Sequence, residues 1–340
     1  EEEEGYLRAI AAEPDFGRVG SAAGPLRTVV GLLAAGMLLG LVVALRAPAA
    51  EAERGSMQPI VLAAAATDAV KEVGNCSDRA SKKMTQRQAA APSLFCWCIM
   101  RPGDYEEELV RSQLARRASI FACNEYAVIS RKKLSIGQDE CGANVTTWLN
   151  PMPKEIPKGQ YGVNAETSSY LNVHIFVVAW RTLINSGRVF AHDFTVKADP
   201  DVVFHPARLR LHASSHTGER VLFTNCRYWG GDQVGKLFGA LEVISKDALK
   251  VFHESGEKCM SLPWQRWGED MFMQKCMAML GVEMVGDFKM VGDGTCPFDG
   301  YAACSDRSRV AFHPFKTVES YWQCWEQSAG DGTTPKSLQV

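Results

Sequence analysis

The sequence predicts an α/β domain whose mostly parallel central sheet is flanked by helices, with a membrane helix and a stem in front of it. Three observations lead there. An apolar run, a helix-patterned run and a second apolar run follow one another closely between Ser93 and Ser130, which is the pattern of a βαβ unit and hence of a parallel sheet. A charge-free stretch, TVVGLLAAGMLLGLVVAL, occupies Thr28–Leu45 between Arg27 and Arg46. Composition is globular: of 340 residues, 46% are apolar and 22% charged, which excludes wholesale disorder. With Lys+Arg 37 against Asp+Glu 39, net charge is −2, so an electrostatic nucleic-acid binder is not expected.

As a helix, Thr28–Leu45 spans about 27 Å, enough to cross the hydrocarbon layer. Ala47-Pro48-Ala49 has the small-x-small form of a signal-peptidase site, but the apolar run exceeds a usual signal core and a tail of 27 residues precedes it. An uncleaved anchor is expected. Arg8, Arg18 and Arg27 before it, against Arg46 and Arg54 after, give only a slight inward bias. All 11 cysteines follow residue 75, as do the sequons at Asn75 and Asn144; both point to a luminal C-terminal part. The opening EEEEG, without Met, is expected to mark a fragment. The layout is a cytoplasmic tail over 1–27, the anchor over 28–45 and an Ala-rich stem over 46–92. A single folded domain over 93–325 and a flexible tail over 326–340 complete it.

Within the domain, SLFCWCIM reads as a buried strand. Asp104 then caps the helical stretch YEEELVRSQLARRASIF, with acids in its first turn. CNEYAVIS follows as a second strand, and Arg131–Thr167 reads as surface loop. SSYLNVHIFVVAWRTLINSG is expected as a buried helix ended by Gly187, although NVHIFVVAW alone also suits a strand. FTVKADPDVVF is a strand running into acids; RVLFTNC, LEVIS and VEMVGDF are further strands, and GEDMFMQKCMAMLG is a helix.

The chemistry centres on Asp199-Pro200-Asp201. Two carboxylates at i and i+2 at the end of an apolar strand are costly without a cation or donors nearby. In open α/β sheets that end faces the ligand crevice, where carboxylates and phosphate oxygens can share a divalent ion. Taken alone, the triplet also suits an acidic turn capping a helix at Pro206. Glu269 and Asp270 open a helix whose dipole would stabilise them; Asp270 could equally act as a base. His313 alone suits a core or surface histidine, and Lys316 a solvated charge.

Asp199-Pro200-Asp201 after FTVK, LEVISKDAL, WGEDMF with a following LG, and a late HPFK occur in one order. That order is similar to the fringe and β-1,3-galactosyltransferase-like glycosyltransferases over roughly residues 93–320. Those are type II membrane proteins of the Golgi or endoplasmic reticulum with a GT-A fold. The resemblance implies that Asp199 and Asp201 hold Mn²⁺ against the diphosphate of a UDP-sugar, with His313 a further ligand and Lys316 a diphosphate contact. It makes Asp270 the base that deprotonates a hydroxyl of a glycan or glycoprotein acceptor, with inversion at the transferred sugar. The chain departs from the pattern at Pro200, where a third Asp is frequent, and at Phe238-Gly239-Ala240-Leu241-Glu242, where a Gly-rich run and a Ser are frequent. A membrane-tethered, non-catalytic carbohydrate- or protein-binding domain is the alternative of another class. A hydrolase lacks support, since neither G-x-S-x-G nor H-E-x-x-H occurs.

Trp264, Trp267, Trp229 and Glu269 are candidate acceptor contacts, because sugars stack on such rings; Tyr321, Trp322 and Trp325 are expected to be packing. Cys96 and Cys98 share one face of a strand and read as core thiols. Cys226, Cys259, Cys296, Cys304 and Cys324 are the disulfide candidates. Asp287, Asp293 and Asp299 lack the spacing of a calcium loop and read as turn formers.

Overall fold

β1 (Leu94–Ile99), α1 (Tyr105–Arg116) and β2 (Glu125–Ser130) form the expected unit, with β1 and β2 parallel. They come from a computed structural model that describes residues 91–153, 155–228, 233–298 and 301–329. The tail, the anchor and nearly all of the stem lie outside the described residues, as do Asn75, Trp229 and Asp299. Among the described residues no helix is long and apolar enough to cross a membrane. Asp104 caps α1 as expected, its Oδ1 accepting the Tyr105 N–H at 2.6 Å. The helix stops short of the expected Phe121 because Arg117 takes a left-handed conformation, φ 52°, which closes the helix by satisfying its last carbonyls.

The stretch expected as loop carries three short strands: β3 (Ser135–Gln138) and β4 (Asn144–Thr146) form a hairpin, and β5 (Trp148–Leu149) adds to β2. Sequence periodicity misses such pieces because two to four residues cannot display a period. The ambiguous NVHIFVVAW is helical, within α2 (Val173–Asn185), and Gly187 follows with φ 71°.

β6 (Phe194–Ala198), β8 (Val221–Thr224), β9 (Leu241–Ser245) and β10 (Glu283–Gly286) complete a seven-stranded sheet ordered β10-β8-β9-β6-β1-β2-β5. It is parallel except at β9, which runs antiparallel to both β6 and β8. α3 (Pro206–Ala213), α4 (Lys246–Ser255), α5 (Glu269–Met279) and α6 (Val318–Ala329) are the remaining long helices. α6 crosses the boundary expected at 325: Ser328 is fully buried and its Oγ lies 2.7 Å from His205 Nε2.

Side-chain alternation along β1 builds the core on both faces. Leu94, Cys96 and Cys98 join Val196, Ala198 and Phe223 on one side. Phe95 and Trp97 meet α2 and α5 on the other, where the Trp97 and Trp180 rings pack edge-on at 4.8 Å. Burial on both faces is why β1 reads as a continuous apolar run. Tyr321, Trp322 and Trp325 pack with α1 in a third cluster, as expected. Disulfides join Cys96–Cys123, Cys226–Cys296, Cys259–Cys276 and Cys304–Cys324. Cys96 therefore corrects the sequence reading: the segment after α1 returns Cys123 beneath it. Cys98 is a buried free thiol.

Candidate functional site

A second, three-stranded sheet assembles the site. β7 (Val203–Phe204), β11 (Val291–Gly292) and β12 (Ala311–Phe312) pair in the order β11-β12-β7, β12 parallel to β11 and antiparallel to β7. The register puts Phe312 beside Gly292 and Val203, so the next residue, His313, comes beside Asp293 on one flank and the Asp201 turn on the other. Backbone bonds continue the pairing, from His313 N–H to Gly292 C=O at 3.1 Å and from Phe315 N–H to Asp201 C=O at 2.9 Å.

The Asp199–Val202 turn ends β6 and is closed by Val202 N–H donating to Asp199 C=O at 3.1 Å. Pro200 pre-sets its first corner, and buried Gln113 donates to the Pro200 carbonyl at 2.7 Å. The acidic turn does not cap the helix at Pro206: the residue before that helix is His205, whose side chain makes no capping bond.

Asp199, Asp201 and His313 converge, each offering a ligand atom within 4.8 Å of the others. His313 Nδ1 lies 2.5 Å from Asp293 Oδ2, and Nε2 faces Asp201 Oδ1 at 3.5 Å. Burial disfavours a charged imidazole, yet the flanking Asp201 and Asp293 carboxylates push its pKa up to about 9. Burial likewise works against an ionised Asp201, but His313 and Lys316 hold it below the usual carboxylate range. Tyr105 Oη also donates to Asp201 Oδ2, at 3.2 Å. Two carboxylates and one imidazole nitrogen are donors that divalent transition ions accept. The Asp293 bond is the supporting contact a metal-ligating histidine normally has, and it leaves Nε2 on the Asp201 side, where a bound ion would be held. The donor set fits a divalent cation. Asp293, expected as a turn former, is that and more: it is buried, and Oδ1 also accepts Thr295 N–H at 2.5 Å.

Asp270 sits half-buried in the first turn of α5. Its Oδ1 accepts Met271 N–H at 2.7 Å and its Oδ2 accepts Gly239 N–H at 3.2 Å. Burial, reinforced by neighbouring Glu269, pushes its pKa up to about 6. Glu269 pairs with buried Lys197 at 3.2 Å. Trp267 is 6% exposed and belongs to the core, so it does not offer the ring face expected of it, whereas Trp264 is half-buried and packs against the same cluster. Lys316 is exposed, its Nζ 5.7 Å from the Tyr105 ring centre. Asn144 is exposed on β4, paired with Ser135 across the hairpin. A cavity of about 320 Å³ between α2 and α4 contains none of these residues.

Sequence reasoning missed Lys197, Glu242, Gly239 and Tyr105. The first two carried a signal, a single charge inside an otherwise apolar strand; Gly239 and Tyr105 carried none.

No family model matches the chain, and no curated protein matches it. Among solved structures it is similar to a glycosyltransferase involved in the glycosylation of the major capsid of PBCV-1. Identity is 12%, over 69% of this chain and 100% of that one, with a TM-score of 0.39. It is also similar to the galactosyltransferase LgtC in complex with donor and acceptor sugar analogs, at 12% identity over 71% of this chain and 98% of that one, TM-score 0.39.

Proposed function

We propose that the chain is a metal-dependent glycosyltransferase that moves a sugar, with inversion, from a UDP-sugar to a hydroxyl of a glycan or glycoprotein. The observation that carries this reading is the convergence of Asp199, Asp201 and His313. His313 lies more than a hundred residues after Asp199 and Asp201, and the three are brought together where the strand ends meet. The motif order of the sequence supports it, and so do the disulfides, which favour an oxidising lumen such as the Golgi or endoplasmic reticulum.

Asp199, Asp201 and His313 would hold the cation, Mn²⁺ in this reading, which supplies charge neutralisation for a departing diphosphate. Lys316, exposed beside Tyr105, adds a mobile positive charge for the same oxygens. Asp270 takes the proton. Its carboxylate oxygens are fixed by Gly239 N–H and Met271 N–H, and its raised pKa makes it a better base than a solvated aspartate. The acceptor oxygen then bonds to the anomeric carbon as the bond to the diphosphate oxygen breaks, and the acceptor proton stays on Asp270.

Thermal stabilisation of the purified protein by UDP with Mn²⁺ tests the reading. Stabilisation is expected in wild type and lost in Asp201→Ala. Asp270→Asn keeps it while losing about 10²–10⁴-fold in sugar transfer. Wild type that neither binds UDP with Mn²⁺ nor transfers sugar overturns the proposal.

A further inference from the structure

We propose that Lys197 is a positioning residue: its buried ammonium ties the cation-side Asp199 to the segment that carries Asp270, and so sets the spacing between the two halves of the site. This inference rests on the proposed role of Asp199, Asp201 and His313.

Lys197 is wholly buried in β6. Its Nζ lies 2.7 Å from Asp199 Oδ1 and 3.2 Å from Glu269 Oε1, and it donates to the Gly239 carbonyl. The Phe176 ring covers it at 4.8 Å. An ammonium has three protons, and these three acceptors use them. The cross-strand partner of Lys197 is Glu242. A lysine present only to balance that carboxylate would rest against it. Instead Glu242 Oε1 is the farthest of the three acids, at 3.7 Å, and both of its oxygens lack a hydrogen-bond partner. The ammonium is drawn past Glu242 toward the carboxyl end of the strand, where the proposed chemistry takes place.

Two of its three contacts adjoin Asp270. Glu269 precedes Asp270 in the chain, and Gly239, whose carbonyl Lys197 holds, gives its N–H to Asp270 Oδ2. The third contact is Asp199. One cation thus links β6, the approach to β9 and the first turn of α5, and three segments distant in sequence share a single anchor.

Positioning and plain electrostatics predict opposite signs. An ammonium 2.7 Å from Asp199 repels a second cation, so an electrostatic role alone makes Mn²⁺ bind more tightly once the ammonium is gone. A positioning role makes Mn²⁺ bind more weakly, by roughly the 10–100-fold typical of lost ligand support.

The test is calorimetric titration of Mn²⁺ alone into the full chain. It compares wild type with Lys197→Met and with Lys197→Met/Glu242→Gln, which also replaces the buried acid across the strand by its neutral isostere and serves if the single variant does not fold. At least tenfold weaker binding in a folded variant is the expected result. Unchanged or tighter binding in a folded variant, with or without a lower melting temperature, overturns the inference while leaving the proposed function standing. Wild type that takes up no Mn²⁺ alone overturns the inference, and wild type that takes up none with UDP present either overturns the proposed function as well.

Discussion

Gly239→Ala isolates the crowding at the centre of the site. A methyl at this position would lie 2.8 Å from Glu269 Oε1, 3.4 Å from Asp270 Cβ and 3.5 Å from Asp270 Oδ2. The last two are ordinary contacts; the first is not. Glu269 is the end of a flexible side chain, but moving it pulls against Lys197. Such overpacking costs about 1–3 kcal/mol. The backbone acts the other way: Gly239 is not among the residues with positive φ, so alanine should gain about 0.4–1 kcal/mol from a less disordered unfolded chain. With mid-range values of about 2 and 0.7 kcal/mol, the net is a loss of about 1.3 kcal/mol, or a melting temperature lower by roughly 3–5 °C for a domain of this size. Thermal melts followed by circular dichroism read it. The same substitution in a Glu269→Ala background removes the clashing oxygen, and there it should be neutral or stabilising. A Gly239→Ala protein as stable as wild type, or an equal loss in both backgrounds, refutes the argument.

Because Asp270 must be ionised to accept a proton and its pKa is pushed up to about 6, sugar transfer should fall about tenfold per pH unit below that value. A rate level down to pH 4.5 excludes Asp270 as the base. Asp293→Ala removes the partner of His313 Nδ1 and should weaken Mn²⁺ binding about 10–100-fold, read by calorimetry; unchanged affinity removes Asp293 from the site. Burial pushes Glu242 up to about 8 from 4.5, so the folded protein keeps a proton that the unfolded chain gives up. That contribution to stability is complete below pH 4.5 and is lost as pH rises through 8. Glu242→Gln should therefore melt like wild type at pH 4.5 and above it at pH 8.5; parallel melting curves across that range count against the assignment.

Long elements with one clear period were readable from the chain. β1, α1 and β2 appear where their patterns put them, because a strand buried on both faces is continuously apolar and an acid-started helix announces its cap. The hairpin and edge strand within Arg131–Thr167 were not, since pairing partners rather than local preference make such short pieces strands. The same division runs through the site. Asp199 and Asp201 were legible because two acids after an apolar strand are out of place, and Asp270 because it opens a helix in a recognisable motif. Trp267 misled, since an indole beside an acidic motif reads the same whether it lines a cleft or fills the core.

The chain alone determined which residues carry charge in apolar surroundings, and therefore which had to find partners. It did not determine the partners. His313 meets Asp201 and Asp293 only because β12 pairs with β7 on one side and β11 on the other. Lys197 reaches Glu269 only because the first turn of α5 is brought against β6. Local sequence sets propensity and polarity over a few residues, whereas a binding geometry is a sum of distances between segments some hundred residues apart, and only the packed sheets fix those distances.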